Sequence, residues 1–320
     1  MTVAGAGPGL PFGVLLLTFG SATTSADVPA YLRSVRGGGD PSEALIAEFS
    51  RRFDVIGRSP LLDITAAQAE ALERTLDERH GAGAVRVAAG MLHSAPRVAD
   101  SLAGLVEAGM GCVIAVVLAP QYSPLILSGY RRALDEAAPA AAAGVSLRVA
   151  GAWHLVPSWI DSLAERVDEA VRGLEPAVRD SVAVVFTAHS LPRAVMERDP
   201  GYMTQIDETI AAVAERAGLA ADRWTFAFQS AGHTPEEWLK PDLTDVLPVL
   251  RDAGARDVLV VPVQFVADHL EVLYDIDVAA AEQARAAGMT FHRIEMPNTT
   301  PRFIAALADV VDRELALCRG

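Results

Sequence analysis

The segment Leu105-Val106-Glu107-Ala108-Gly109, followed by the apolar run Cys112–Pro120, decides the fold. It has a counterpart later in the chain, where Leu250-Arg251-Asp252-Ala253-Gly254 precedes Val258–Pro262. Each copy predicts the end of a helix, a glycine that stops the helix, a buried strand and a proline at the strand exit. The repetition predicts a chain built from two similar halves.

Further short apolar runs have the length of strands, and stretches with helical period separate nearly every neighbouring pair. Fully apolar strands that alternate with helices are typical of parallel sheets covered on both faces. We therefore expect an α/β fold with two similar Rossmann-like domains, each a parallel four-stranded sheet flanked by helices. The predicted strands lie near residues 13–19, 85–90, 112–118 and 146–151, and then near residues 181–187, 224–229, 257–263 and 290–294.

The predicted boundary between the domains lies near Ala152–Pro157. We expect the N-terminal domain over residues 1–150 and the C-terminal domain over residues 151–300. A helix over residues 301–320 is expected to pack back on the N-terminal domain. In sheets of this class, ligands bind beyond the carboxyl ends of the strands, where the strand order reverses. The strand exits are therefore the places to look for functional residues.

Composition narrows the class of partner. The 320 residues carry a net charge of -14, which argues against nucleic acid and anionic membranes, because both attract basic surfaces. The two cysteines, Cys112 and Cys318, are too few for a four-cysteine iron–sulfur or zinc site. We see neither an apolar run of about 18 residues nor the basic start of a secretory signal. We expect a monomeric, cytoplasmic protein without a membrane anchor.

Four strand exits carry unusual residues, and we expect them to converge on one cleft. They are Thr18-Phe19-Gly20-Ser21, Ala119–Ser123, Thr187–Pro192 and Gln264–Glu271. His189 directly follows a predicted buried strand. Its imidazole accepts protons near neutral pH and binds borderline metals. A hydrogen-bonding loop histidine is an equally open interpretation at this point.

The segment from Leu270 to Arg285 predicts a helix with Glu271, Asp275 and Glu282 along one side. Carboxylates in a row can receive a hydrated cation or pass protons to solvent. An ordinary solvated acidic face is the alternative. His269 is expected to hydrogen-bond within the second domain. No nucleotide is expected, because the glycine clusters lack the order of strand, loop and helix that phosphate cradles need.

With these residues in view, the chain resembles the ferrochelatases, and more specifically the soluble coproporphyrin ferrochelatases of monoderm bacteria. The likeness runs nearly end to end through six ordered fragments. They are Ile56–Leu61, Leu118–Ser123, Phe186–Pro192, Gln229–Gly232 with Trp238-Leu239, Phe265–Asp275, and Glu295–Asn298 followed by Pro301–Phe303.

The resemblance implies two Rossmann-like domains of the chelatase type with a porphyrin cleft between them. It implies insertion of Fe²⁺ into coproporphyrin III to give coproheme III in heme biosynthesis, with iron as substrate and with neither a prosthetic group nor an iron–sulfur cluster. His189 and Glu271 would form the catalytic pair, and Asp275 would join them in contacting the metal. Insertion needs a base for the pyrrole protons and an escort for the cation. Which residue does which stays open.

The resemblance also implies residues that bind the porphyrin. Phe19 and Tyr130 would form an apolar wall that holds and distorts the ring. Arg36, Ser59 and Tyr122 would bind propionates, since an acidic protein needs locally placed donors for a polyanionic substrate.

Three departures from the family pattern concern the metal and the propionates. Phe19 stands where several relatives carry a tyrosine that can ligate iron. Ala279 interrupts the acidic line of some relatives, which removes an outer metal site unless Glu282 substitutes. The region around Arg58 is one residue shorter than in similar relatives.

Other functions compete with this interpretation. Within the chelatases, the chain could insert another divalent metal, such as cobalt or nickel, or use protoporphyrin IX, because metal preference depends weakly on ligand identity. From a different class, a non-catalytic tetrapyrrole-binding protein would keep the cleft but tolerate loss of His189 and Glu271. A hydrolase is disfavoured because Ser190 does not lie in the G-x-S-x-G motif.

Overall fold

A computed structural model of the chain describes residues 11–141, 145–232 and 235–318. Two parallel four-stranded sheets, one in each half of the chain, confirm the predicted α/β fold. The strands are β1 (Phe12–Thr18), β2 (Val85–Met91), β3 (Cys112–Val117) and β4 (Ser146–Val149) in the first sheet, and β5 (Ala183–His189), β6 (Trp224–Gln229), β7 (Asp257–Pro262) and β8 (Thr290–Arg293) in the second. Each strand limit lies within two residues of its prediction.

Helices cover both sheets. They are α1 (Val28–Val35), α2 (Glu43–Ile56), α3 (Leu61–His80), α4 (Val98–Glu107), α5 (Ser128–Ala141), α6 (Pro157–Gly173), α7 (Pro176–Arg179), α8 (Arg193–Arg198), α9 (Gly201–Arg216), α10 (Leu243–Asp252), α11 (Ala281–Ala286) and α12 (Pro301–Cys318). Local signals fix several helix starts. Before α2, the Ser42 side chain accepts a hydrogen bond from the Leu45 N–H, and before α10, Asp242 and Asp245 form a capping box.

The two sheets share one topology. Their strand orders are β2-β1-β3-β4 and β6-β5-β7-β8, so the order reverses between β1 and β3 and again between β5 and β7. Ligands of such sheets bind beyond the carboxyl ends of the strands at the reversal. The exits after β1, β3, β5 and β7 are the four that the sequence singles out.

The two halves are held together by a shared hydrophobic core. Leu16 and Val116 of the first sheet belong to the same buried cluster as Val184 and Phe186 of the second. Helix α12 contacts α6 and also α3, β3 and β4, with Phe303 fully buried. Burial of this helix against both halves fixes their relative position.

Polar contacts also join the halves near the strand exits. Gln121, after β3, donates hydrogen bonds to Thr209 Oγ1 at 3.0 Å and to the Val263 carbonyl at 3.4 Å. The backbone N–H of Tyr122 donates to Gln205 Oε1 at 2.8 Å, and the Gln205 amide donates back to the Tyr122 carbonyl at 2.8 Å. The β3 exit therefore lies against the β7 exit and α9.

The predicted helix after β7 forms with a different pitch. Residues Glu271–Ala280 make a π-helix, which continues as α11. A π-helix takes more residues per turn than an α-helix because its hydrogen bonds run from i to i+5. Glu271 and Asp275 still lie about one turn apart, but the expected place of Glu282 on the same side assumed the α-helical period and does not hold, and Glu282 is exposed. Among the residues that the structure describes, no helix, including this one, is both long enough and apolar enough to span a membrane.

Candidate active site

His189 is held by both of its neighbouring strands. It is the last residue of β5, and its backbone N–H donates to Gln264 Oε1 at 2.7 Å. Gln264, directly after β7, donates in turn to the Tyr202 hydroxyl at 2.7 Å. On the other side, the Ser190 N–H donates to the Gln229 carbonyl of β6 at 2.7 Å. These contacts fix the backbone from which the imidazole projects.

Glu271 places its carboxylate against two imidazoles. Its Oε2 lies 3.7 Å from His189 Nε2 and 3.5 Å from His269 Nε2. The side chains of His189 and Glu271 are 30% and 37% exposed, so both remain open to a ligand in the cleft. The family resemblance implies a pair of His189 and Glu271, and the structure brings the two side chains together at the exits of β5 and β7.

The charges of the histidines control the ionisation of Glu271. Burial alone would raise the pKa of Glu271, but the charge of His189, a hydrogen bond from His269 and the charge of Arg52 lower that pKa to about 2. Burial likewise opposes protonation of His269, yet the hydrogen bond and charge of Glu271 raise the pKa of His269. Glu271 is therefore a carboxylate at neutral pH.

His269 also makes the local contact expected of it within the second half. Its Nδ1 lies 3.0 Å from the Ala267 carbonyl, and its ring meets Phe265 edge-on at 4.5 Å between centroids. With the Nδ1 proton donated to Ala267, Nε2 can donate to Glu271 only when the ring is protonated. This geometry agrees with the raised pKa of His269.

Asp275 is paired with an arginine from the first half of the chain. Arg52, on α2, contacts Asp275 Oδ1 at 3.2 Å and Glu48 Oε1 at 2.9 Å, and its guanidinium lies 5.2 Å from the centre of the Tyr274 ring. Burial raises the pKa of Asp275, the charge of Glu271 raises it further, and Arg52 opposes both. Arg52 was missed in the sequence because its partner lies 223 residues away.

Phe19 projects from the exit of β1 as an exposed aromatic ring. Phe19 is 44% exposed, and its ring packs against His93 in a tilted arrangement, with 4.5 Å between centroids and 59° between ring planes. The next residue, Gly20, has φ +87, and a Cβ there would lie 2.7 Å from Ser94 Oγ, so the turn requires glycine. His93 receives no role from the sequence, although its position just beyond β2 is a usable signal.

The remaining proposed porphyrin contacts differ in exposure. Tyr130, on α5, is half-buried, and burial raises its pKa. Tyr122 is also half-buried, whereas Arg36 is exposed at the end of α1. Ser59 is 1% exposed, its N–H donates to the Thr23 carbonyl at 2.9 Å, and its hydroxyl has no hydrogen-bond partner among the described residues.

Comparisons with known proteins identify the family of this chain. The family model for ferrochelatase matches residues 11–315. The ferrochelatase of Deinococcus radiodurans is 37% identical over 309 residues, which cover 96% of each chain. The coproporphyrin III ferrochelatase of Geobacillus sp. is 35% identical over 308 residues, which cover 95% of this chain and 98% of the relative. A solved structure of SirB from Bacillus subtilis with Fe³⁺ matches at a TM-score of 0.58 and 11% identity, over 95% of each chain, and shows the shared fold.

Two parallel sheets of this topology form the fold that this chain shares with solved chelatases, and the match of the family model identifies the class as ferrochelatase. The chain belongs to the ferrochelatase family, whose members insert metal into porphyrin in heme synthesis. The resemblance stated from the sequence is confirmed.

Proposed function

We propose that this ferrochelatase inserts Fe²⁺ into coproporphyrin III to give coproheme III, with His189 and Glu271 at the insertion centre. The approach of His189 Nε2 to Glu271 Oε2 at 3.7 Å carries the proposal. Several relatives that match nearly the whole chain are named coproporphyrin III ferrochelatases, which supports the choice of porphyrin. We also infer a monomeric cytoplasmic enzyme that has no prosthetic group or iron–sulfur cluster and binds neither nucleic acid nor membrane.

Insertion exchanges two pyrrole protons for one ferrous ion. The ionisation states of His189 and Glu271 suit one residue to the protons and the other to the cation. A group with a strongly lowered pKa is a poor base near neutral pH, so Glu271 suits the escort of the cation better than the removal of protons. His189 receives the pyrrole protons one at a time at Nε2 and releases the first to solvent before it takes the second. Asp275, one turn further along the π-helix, supports transfer of hydrated iron toward Glu271.

The first half of the chain supplies the contacts with the macrocycle. The exposed ring of Phe19 and the half-buried ring of Tyr130 form the apolar wall. Arg36 and Tyr122 donate to propionates, and the unpartnered hydroxyl of Ser59 offers a further donor. Coproporphyrin carries four propionates and protoporphyrin two, so a substrate with more anionic groups draws more on these donors.

The test is anaerobic incubation of the purified protein with Fe²⁺ and, separately, coproporphyrin III and protoporphyrin IX, followed by loss of free-base porphyrin absorbance. Wild type is expected to metallate coproporphyrin faster, and His189→Ala and Glu271→Ala to be slow. His292→Ala and Glu215→Ala are matched controls, because His292 pairs with Asp257 on the β7 and β8 strands and Glu215 is exposed on α9.

The other outcomes separate the alternatives. Faster turnover of protoporphyrin would overturn the proposed substrate but not the family. Porphyrin binding without turnover, with both variants like wild type, would replace the enzyme by a tetrapyrrole-binding protein. Turnover with cobalt or nickel but not with iron would change the metal.

A further inference from the structure

Arg293 is the last residue of β8, and its guanidinium is held against the π-helix that begins at Glu271. The side chain is 14% exposed. Its Nε and Nη2 donate to the two carboxylate oxygens of Asp277, at 2.6 Å and 2.9 Å, which makes a bidentate pair. Its Nη1 donates to the Ile294 carbonyl at 2.7 Å. Because all three nitrogens have partners, the orientation of this planar group is fixed.

The same guanidinium reaches a second carboxylate, in the loop before Glu271. Its Nη2 lies 3.4 Å from Asp268 Oδ1. The other oxygen of Asp268 accepts a hydrogen bond from the Asn298 side-chain amide at 2.7 Å, and the Asp268 N–H donates to Asn298 Oδ1 at 2.9 Å. Arg293 therefore bridges the loop that precedes the π-helix and the π-helix itself, with Glu271 between the two bridged carboxylates.

The loop before Glu271 is also anchored in the first half of the chain. Gln68, fully buried on α3, donates to the Asn298 carbonyl at 2.8 Å and to the Val266 carbonyl at 3.4 Å. The Asn298 N–H donates to the same Val266 carbonyl at 3.0 Å. One end of the bridge made by Arg293 is therefore fixed to both halves of the chain, and the other end holds the π-helix.

Arg293 and His189 hold the π-helix from strands on opposite sides of β7. In the strand order β6-β5-β7-β8, the neighbours of β7 are β5 and β8. Glu271 contacts His189 at the end of β5, and Asp277 contacts Arg293 at the end of β8. A π-helix is rare, so contacts outside the helix must maintain its pitch. The bidentate pair is such a contact, because Asp277 lies within the π-helical residues Glu271–Ala280.

We propose that Arg293 is a positioning residue, which acts through Asp268 and Asp277 to maintain the pitch of the π-helix and the place of the Glu271 carboxylate. The inference rests on the proposed role of Glu271 in iron transfer. Without the bridge, the segment can adopt the α-helical pitch, which turns Glu271 and Asp275 relative to the cleft. A displacement of about 1 Å at a reacting centre can lower the rate about 100-fold.

The test compares Arg293→Lys, Arg293→Gln and Asp277→Asn with wild type, using Fe²⁺ and coproporphyrin III. A lysine cannot reproduce the bidentate fork, so kcat/KM for Fe²⁺ is expected to fall about tenfold in Arg293→Lys and about 100-fold in Arg293→Gln. The KM for Fe²⁺ is expected to rise, while the Kd for coproporphyrin stays unchanged. Arg285→Gln is the control and should match wild type, because Arg285 is exposed on α11.

Asp277→Asn keeps the test independent of folding. Arg293→Gln leaves two carboxylates without their cation and is expected to lower the melting temperature. Asp277→Asn keeps the shape of the side chain and removes its charge, so it weakens the bridge with less loss of packing. Its kcat/KM for Fe²⁺ is expected to fall about tenfold. The double variant with Arg293→Lys should be about as slow as the slower single variant, because both substitutions break one bridge.

The outcomes distinguish positioning from stability. If folded Arg293→Lys and Asp277→Asn bind coproporphyrin as tightly as wild type but need more Fe²⁺, the inference stands. If these variants lose only melting temperature, with kcat and the KM for Fe²⁺ like wild type, Arg293 stabilises the fold alone and the inference is overturned. A wild-type protein without turnover would overturn the proposed function and this inference with it, whereas an active wild type matched by both variants would overturn only this inference.

Discussion

His189 Nε2 and Glu271 Oε2 lie 3.7 Å apart, although one ends β5 and the other begins the π-helix beyond β7. Parallel neighbouring strands in one sheet bring their carboxyl ends to the same edge, which explains how residues so distant in sequence meet. His269, on the same turn as Glu271, adds a second imidazole to the same oxygen. Three ionisable groups therefore share one short segment of the cleft edge.

The pair of His269 and Glu271 predicts a pH-dependent stability. The raised folded-state pKa of His269 contributes stability that is complete below its unfolded value of 6.5 and is lost as pH rises through the folded value. We expect His269→Gln to cost more unfolding free energy at pH about 5.5 than at about 8.5. Urea unfolding of wild type and variant at both pH values measures this difference.

Glu271→Gln is the matched background for that measurement. Without the carboxylate, burial of His269 is no longer offset by Glu271, so the greater cost of His269→Gln at low pH is expected to be lost or reversed. A difference between wild type and His269→Gln that stays constant over this pH range would show that protonation of His269 is not coupled to folding.

Arg52 is expected to stabilise the protein through Asp275. The two side chains are 14% and 16% exposed, and removal of one member of a buried pair leaves an uncompensated charge. Arg52→Ala should lower the free energy of unfolding by about 3 kcal/mol. Arg51→Ala is the control, because Arg51 is 53% exposed and ion pairs exposed to solvent contribute little to stability. Equal, small losses in both variants would contradict a role for the Arg52 pair.

Phe19 is expected to contribute to porphyrin affinity more than to stability. Its ring is 44% exposed, so Phe19→Ala should change the free energy of unfolding by less than about 1 kcal/mol. The Kd for coproporphyrin III should rise about tenfold, since the ring supplies apolar contact with the macrocycle. Fluorescence quenching measures the Kd, with Val249→Ala, at 67% exposed, as the control. An unchanged Kd would place Phe19 outside the porphyrin wall.

The sequence predicted the fold well because buried parallel strands leave continuous apolar runs. The apolar run that ends at Thr18 and the corresponding runs of the other strands can therefore be recognised in the sequence. The topology of the sheets then gives the positions of the strand exits. Convergence of the strand exits could be expected because carboxyl ends of parallel strands meet at one edge, whereas the pairing of His189 with Glu271 was implied by the family resemblance. These parts of the site depend on chain order and alternation, which a sequence displays.

The remaining parts of the site depend on distant contacts or on backbone geometry. The π-helix has no distinct local pattern, so Glu282 was placed on the wrong side. Arg52 lies on α2 in the first half, and its partner Asp275 belongs to the second half. Such contacts exist only once the two halves have packed together, and nothing in their local sequence marks them.

The most direct test of the central claim is a double-mutant cycle on Fe²⁺ insertion into coproporphyrin III, with His189→Ala, Glu271→Gln and the double variant. Residues that act as one centre are strongly non-additive in their effects on rate. We expect each single variant to lower kcat by about 100-fold or more, and the double variant to be about as slow as the slower single one. If the two effects multiply, or if either single variant turns over like wild type, His189 and Glu271 do not form one insertion centre.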